Sequence, residues 1–261
     1  NGGFDVWQRG TSATYPDGLT YKCVDRWRLQ RTASSQVTTP YGQGVRITDN
    51  AQGNDMIEQV IEETALFKAG VSFTLSFYVR SSVALTSVPV RVWGVVTGSG
   101  SSVISETYST TTDWVRKTFT GTAPVDLLED IRVSPIPAYD LSTGQWMEFA
   151  NVQLELGSVA TDFEHRSYGE ELALCQRYYQ KGRSGQNFGY YSSNYTAQYG
   201  FAFDVVMRTT PTVVQDTVIN QGGTGAPYSF ADISIYGARH TMTINGGSPR
   251  IDFLYTADAE L

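Results

Sequence analysis

Histidine and cysteine are scarce in this 261-residue chain, two of each, and that scarcity removes whole classes of chemistry. His165 and His240 fall in different predicted units, so no histidine pair can hold a metal within one domain. There is no Gly-x-Ser-x-Gly elbow, no glycine-rich phosphate loop and no His-Glu-x-x-His pair. His165 reads as a local hydrogen-bonding residue at a helix start. His240 alternates with Met242 and Ile244 and reads as a strand-face residue. Cys23 and Cys175 also belong to different predicted units, so two buried thiols are favoured over a disulfide. Asp and Glu total 26, so a carboxylate pair for glycoside hydrolysis is compatible with the composition, yet nothing in the order singles one out. The reading is of no catalytic residues and no enzyme.

Positive charge is also in short supply. A net charge of −7 and a pI near 4.9 argue against a nucleic-acid partner, which needs a basic patch to displace counterions. No run approaches the roughly 18 consecutive apolar residues of a membrane span, so membrane insertion is not expected. Residues 1–10 lack the basic start and apolar run of a signal peptide, and the chain opens without Met. It is read as processed, or as part of something longer.

What is present is β structure. Val71, Phe73, Leu75, Phe77 and Val79 alternate with Ser72, Thr74, Ser76 and Tyr78, the pattern of a half-buried strand with one wet face. Residues 88–96 repeat it, and Gly98 to Ser102 reads as the hairpin loop that follows. Further strands are expected at 24–31, with Trp27 and Leu29 inward, around Val45 and Ile47, and at 114–120, 131–134 and 145–156. A short strand is expected within residues 1–10, while 56–69 fits either a helical turn or a strand and loop. Repeated short strands with turn signals between them point to a two-sheet sandwich.

One helix interrupts this pattern. Ser167 stands three residues before Glu170, the spacing of a capping box, and a stripe of Leu172, Cys175 and Tyr179, flanked by Leu174 and Tyr178, predicts a helix to about Lys181. Beyond it, residues 182–197 are rich in Gly, Ser, Asn and Tyr. Tyr199, Phe201, Phe203, Val205 and Met207 then alternate strictly, and strands follow at 212–219, 228–236, 239–245 and 250–255. The expected organisation is 1–163 sandwich, 164–185 connecting helix and 186–261 a smaller antiparallel β unit.

Aromatics are the remaining signal: 5 Trp and 16 Tyr exceed what two small β cores obviously need. Flat rings with polar groups at their rim suit the C–H face of a sugar. Trp93, Tyr78 and Arg91 fall on the outward parity of their strands, and Tyr190, Tyr191 and Tyr195 lie in a Tyr-rich loop. These six are the candidate glycan-binding residues, with burial at an interface equally open for Trp93 and the loop tyrosines. Trp7 and Trp27 are assigned to the core. The acidic loop from Asp49 to Asp55 has oxygen ligands suited to Ca²⁺ but lacks the EF-hand spacing, so a solvated turn is favoured and no cofactor is assigned.

Two stretches resemble known proteins. Asn1-Gly2-Gly3-Phe4-Asp5-Val6-Trp7-Gln8-Arg9-Gly10-Thr11-Ser12, followed by Asp25-Arg26-Trp27, resembles the opening of a domain found in tailed-phage tail-fibre and virion-surface proteins. Phe149 to Gly157, Ala160 to Arg166 and Glu170 to Tyr179 resemble that domain's end. Residues 203–212 are similar to its usual companion. Asn-Gly-Gly-Phe and Val-Gln-Leu-Glu also resemble the first and last strands of jelly-roll carbohydrate-binding modules of families four and nine. In those modules the closing strand usually carries an Asp that helps bind a structural Ca²⁺; here that place reads Ala150-Asn151.

The resemblance implies an all-β jelly-roll sandwich, then a short helix and a smaller β unit, in a virion-surface setting. The function expected is recognition of a host surface polysaccharide by a tail-fibre or head-fibre protein, without catalysis. Other virion proteins are the further partners, and a homotrimer is the natural arrangement because single sugar sites are weak. The Cys175/Tyr179 stripe and the outward aromatics are the candidate subunit contacts. Two alternatives stand beside this: a capsid-decoration or fibre-assembly module with no glycan ligand, and a depolymerase built on a carboxylate pair.

Overall fold

The computed structural model describes residues 1–15, 18–51, 53–96, 99–187, 195–221, 229–244 and 250–260. The chain divides into a unit spanning Asn1–Tyr168 and a second spanning Gly169–Glu260.

The first unit is built from β1 (Ser12–Thr14), β2 (Trp27–Gln30), β3 (Thr32–Thr39), β4 (Gly42–Asp49), β5 (Asp55–Ile61), β6 (Ser72–Ser81), β7 (Leu85–Val96), β8 (Ser99–Thr110), β9 (Val115–Thr122), β10 (Glu129–Tyr139) and β11 (Trp146–Leu156). They form a six-stranded sheet, β1-β3-β4-β11-β6-β9, and a five-stranded sheet, β2-β5-β10-β7-β8. Strands β4 to β11 pair as nested antiparallel ribbons: β7 with β8, β6 with β9, β5 with β10, and β4 with β11. A long hairpin rolled so that alternate pairs fall in opposite sheets is a jelly roll. The strand order therefore identifies the sandwich.

The alternation seen in the sequence fills the space between the sheets. Phe73, Leu75, Phe77 and Val79 of β6 are buried, facing Val88, Val90 and Val92 of β7 and Ile131, Val133 and Ile136 of β10 within one apolar cluster. Phe77 meets Tyr108 of the opposite sheet edge-on at 5.5 Å. Trp27, as expected, is fully buried; Trp7 only lines the cluster's edge, its Nε1 donating to the Phe4 carbonyl at 2.6 Å.

Two local expectations change, one open alternative is decided and one strand is new. Residues 1–10 form no strand, because the Asn1 side chain does the work of a sheet partner. Its Nδ2 donates to the carbonyls of Val6 and Asp25, both at 2.9 Å, and its Oδ1 accepts from the N–H groups of Asp5 and Val6. Residues 99–102 belong to β8 rather than to a hairpin loop, with Trp93 opposite Ser102 and Val96 opposite Ser99. The segment 56–69 resolves as β5 followed by a loop. Strand β3, polar along most of its length, lacks the apolar alternation that would have announced it.

The opening and closing stretches that carry the resemblance meet in space. The Val152 N–H donates to the Gly2 carbonyl at 2.9 Å, and a Cβ on Gly2 would lie 2.0 Å from the Val152 oxygen. The Phe163 ring covers both Gly2 and Gly3. Only residues without side chains allow this approach.

In the second unit, α1 (Tyr168–Gln176) is followed by β12 (Tyr179–Asn187), β13 (Tyr195–Ala202), β14 (Thr212–Gln221), β15 (Ser229–Ser234), β16 (Gly237–Ile244) and β17 (Arg250–Asp258). They form two three-stranded sheets, β12-β17-β14 and β13-β16-β15. The helix stops short of Lys181 because Tyr179 to Asn187 pairs along its whole length with β17. Leu174, expected beside the apolar stripe, is 42% exposed, and Glu171 and Cys175 are the buried helix residues. Cys175 and Tyr179 are buried within this chain, so they offer no surface for subunit contact. Both cysteines are free thiols.

The alternation from Tyr199 to Met207 is broken after Ala202 by buried Gln180. Its Oε1 accepts from the Asp204 N–H at 2.9 Å and its Nε2 donates to the Val205 carbonyl at 2.9 Å. His240 lies inside this unit's aromatic cluster, 4.6 Å from the Phe253 ring and 5.7 Å from Phe230, where burial holds its pKa below the usual imidazole value.

Candidate functional site

The wet face of the six-stranded sheet carries one row of residues that crosses five strands' worth of chain. Ser35 of β3 opposes Arg46 of β4, Arg46 opposes Glu148 of β11, and Glu148 opposes Arg80 of β6. Trp114, just before β9, closes the row. Each lies on the outward parity of its strand, set by inward neighbours such as Val45, Ile47, Val79, Met147 and Phe149.

Glu148 is the centre of this row. Its Oε1 accepts from Arg46 Nε at 2.8 Å and Nη2 at 2.5 Å, and its Oε2 accepts from Arg80 Nε at 2.6 Å. Both guanidinium groups spread over the Trp146 ring, Arg46 at 4.4 Å and Arg80 at 5.5 Å from its centroid. Arg80 also lies 5.2 Å from the centroid of Trp114. Such cation–π contacts hold the charged heads flat against the rings.

Beside the row, Tyr41 from the turn between β3 and β4 stacks on Tyr78 of β6, with centroids 3.6 Å apart and planes at 19°. Trp114 meets Tyr41 edge-on at 5.9 Å. The result is a half-buried aromatic surface in which Trp114, Tyr41 and Tyr78 touch, Arg80 bridges Trp114 to Trp146, and Arg46 lies over Trp146.

The other end of the same face is covered by the chain itself. Thr74 Oγ1 donates to the Gly157 carbonyl at 2.8 Å, and the Gln153 amide oxygen accepts from the Glu164 N–H at 2.8 Å. Arg116 of β9 donates to the Thr161 carbonyl and, at 3.2 Å, to Ser76 Oγ. Glu155 sits under this strap. Burial would raise its pKa, but the Thr161 hydroxyl and N–H, the Gln153 amide and the charge of Arg116 together hold it below the usual carboxylate value. Asn151, at φ 49°, marks the bulge in β11 between the open and covered ends.

The sequence candidates are dispersed by the fold. Tyr78 is part of the surface just described, whereas Trp93 and Arg91 stand on β7 of the five-stranded sheet, on the opposite outer face. There Arg132 and Arg91 lie 4.4 and 4.9 Å from the Trp93 centroid, and Arg91 donates to Ser102 Oγ at 3.0 Å. The Trp93 Nε1 is buried and has no acceptor among the described residues. Tyr190 and Tyr191 lie outside the described residues, and the backbone of Tyr195 pairs with Ile244.

Sequence reasoning passed over Tyr41, Arg46, Arg80, Trp114, Trp146 and Glu148. Parity offered a partial signal, since Arg46 stands between Val45 and Ile47 and Arg80 follows Tyr78 by two residues. Nothing local placed β4 beside β11.

Chemically this surface suits contact rather than turnover. At the centre of the open end stands one carboxylate, Glu148, and both its oxygens already accept from guanidinium groups. Glycoside hydrolysis needs a second carboxyl group across the bond and a proton free to move. Among the described residues no group of three His, Cys, Asp or Glu is placed to hold a metal ion, and in the acidic loop Asp49 Oδ1 accepts from the Ala51 N–H at 3.0 Å.

Among solved structures the chain is similar to a CBM4 structure, at 21% identity and a TM-score of 0.40 over 60% of this chain and 98% of that one. It is similar to the CBM22-1 xylan-binding domain from Paenibacillus barcinonensis Xyn10C, at 11% identity and a TM-score of 0.40 over 57% of this chain and all of that one (100%). A third similarity is to the tripod of the baseplate of bacteriophage Tuc2009, at 16% identity and a TM-score of 0.33 over 50% of this chain and 49% of that one. The jelly-roll assignment rests on the strand order and registers above. No protein-family model and no curated protein matches the chain.

Proposed function

We propose that this chain is a non-catalytic glycan-recognition protein of a phage virion surface, and that its sugar-binding surface is the open end of the six-stranded face. The observation that carries the reading is the joined surface of Tyr41, Tyr78, Trp114 and Trp146, half-buried and bordered by hydrogen-bonding arginines. Stacked rings bury the C–H face of a sugar, and polar groups at their rim fix its orientation. A rigid sheet holds these groups in place with little ordering left to occur on binding. The virion setting rests on the resemblance of residues 1–27 and 149–179 to tail-fibre and virion-surface domains. A host envelope polysaccharide is the ligand, other virion proteins are the attachment partners, and trimerisation raises the effective affinity of a weak single site.

The test is binding of the purified protein to an array of bacterial surface polysaccharides, with reducing-sugar release read from the same wells. Saturable binding without release, weakened about tenfold by Tyr41→Ala and likewise by Tyr78→Ala, is the expected result. Release of oligosaccharide would replace this reading with a depolymerase. Silence on every glycan would leave an assembly module with its rings buried against other subunits.

A further inference from the structure

The chain as a whole is acidic, with a net charge of −7, yet the open end of the six-stranded face turns positive charge outward. The side chains of Arg46 and Arg80 are 36% and 33% exposed, while that of Glu148 beneath them is 1% exposed. Two cations therefore lie at the surface over one anion sealed below, and they border the rings that would carry the sugar. Arg116, where the open end meets the covered end, donates only to the neutral oxygens of Thr161 and Ser76. Its charge also acts on Glu155, whose carboxylate is taken up by Thr161 and Gln153.

The opposite face makes the comparison direct. It has the same construction, a buried glutamate (Glu58) bonded to Arg28 at 2.7 Å and within 3.7 Å of Arg132, with Arg132 over a tryptophan. There, however, Asp130 takes both arms of the Arg132 guanidinium, and its side chain is 35% exposed against 22% for Arg132. The carboxylate that answers Arg132 is thus the more exposed partner of that pair, while Arg91 on the same face donates to the neutral Ser102 Oγ. On the six-stranded face, among the described residues, the anion bonded to Arg46 and Arg80 is Glu148 alone, and it lies beneath them.

Resting on the glycan-recognition reading, we infer that this face selects carboxylate-bearing polysaccharides, uronic-acid chains in chemical class, with Arg46 and Arg80 facing the sugar carboxylates and the rings taking the sugar faces. Guanidinium groups match a carboxylate in planar geometry, and like-charged polymers would otherwise be repelled by an acidic protein. The arginines thus reverse locally the charge that the rest of the surface would impose.

The experiment compares binding of polygalacturonate with binding of its carboxyl-reduced, neutral form, at low and at high salt. Reduction of the carboxyl groups is expected to weaken binding about tenfold, and salt to weaken binding of the acidic form alone. Arg80→Gln should weaken binding of the acidic chain several-fold more than that of the neutral chain and flatten its salt dependence, while Arg80→Lys, which keeps the charge, should retain most of the preference for the acidic chain. Arg116→Gln, whose hydrogen-bond partners are neutral, is the second variant should Arg80→Gln fail to fold. Equal, salt-independent binding of both forms would overturn charge selection and leave glycan recognition standing. Equal binding of dextran sulfate would overturn selection of carboxylates in favour of any polyanion. No binding of either form, with other bacterial polysaccharides also silent, would remove the glycan reading itself and this inference with it.

Discussion

Arg46 opposes Glu148 across the β4–β11 pair although 102 residues separate them in sequence, and it closes two hydrogen bonds on a single carboxylate oxygen. Arg80 holds the other oxygen from the far side. One buried anion thus ties three strands of the six-stranded sheet together on its wet face.

Glu148→Ala should destabilise the sandwich by about 2–4 kcal/mol, because it leaves two guanidinium groups side by side over Trp146 without their anion. The value lies toward the low end of buried pairs since both arginines are about one-third exposed. Glu148→Gln, which keeps an acceptor and the volume, should cost about half as much. Urea denaturation followed by tryptophan fluorescence measures both. An unchanged midpoint for Glu148→Ala would mean that the network contributes geometry and no stability.

Tyr41 and Trp93 should separate cleanly in a binding assay. Tyr41 reaches Tyr78 from a turn, so Tyr41→Ala removes half of a stacked pair while leaving the strands intact. A loss of about 1–2 kcal/mol, roughly tenfold in affinity for a glycan ligand, is expected from one stacking ring. Trp93→Ala acts on the opposite sheet and should leave that affinity unaltered. Isothermal titration of the two variants decides, and the reverse outcome would move the site to the five-stranded face.

Asp55 makes stability depend on pH. It is fully buried; burial pushes its carboxyl up to about 6 from an ordinary value near 3.8, opposed by the Leu141 N–H and reinforced by Asp49. Because the folded-state pKa lies above the unfolded one, the folded form binds the extra proton between these values. Its contribution is therefore most favourable at or below about pH 4 and falls away as pH rises through 6. Asp55→Asn, neutral at every pH, should gain on the wild type by about 2–3 kcal/mol between pH 4 and pH 7. Thermal unfolding of both proteins across that range gives the difference, and a flat difference would place the carboxyl near its ordinary value.

Gln180 should be the least replaceable polar residue of the second unit. It is fully buried, and its amide joins β12 to the segment after β13 through the Asp204 N–H and the Val205 carbonyl, and to the end of α1 through the Gln176 carbonyl. Gln180→Ala leaves these groups without partners, at a cost of about 2–4 kcal/mol. Hydrogen exchange should then quicken at residues 203–207 while β6 and β11 in the first unit stay protected. Uniform exchange throughout the chain would show that the two units unfold together.

Strands with one clean wet face were legible from residue order, because a period of two in a half-buried sheet is a local property. The stretch from Ser72 to Val79 is the clearest case: its inward residues are buried, and of its outward residues Ser72 and Tyr78 stay partly exposed while Thr74 is covered at Gly157 and Ser76 at Arg116. Strand β3 was not legible, since Ser34, Ser35 and Gln36 carry no apolar period and are held by β4 on one side and β1 on the other. Helix α1 was legible at its start and not at its end, because pairing with β17 overrode the helical stripe at Tyr179.

By itself, the sequence determined the β character of the chain, the inward and outward sides of its best strands, and the shortage of histidine and cysteine that narrows its chemistry. These follow from periodicity and composition, which neighbours along the chain set between them. Only the tertiary structure decided that Tyr78 and Trp93, alike in parity, belong to opposite faces. It alone gathered Tyr41, Arg46, Arg80, Trp114 and Glu148, drawn from four separate stretches, onto one surface. The physical reason is the nested pairing of the jelly roll: sheet neighbours are fixed by ribbons that close over as many as about a hundred residues, and no local pattern records which outward side chains those ribbons bring together.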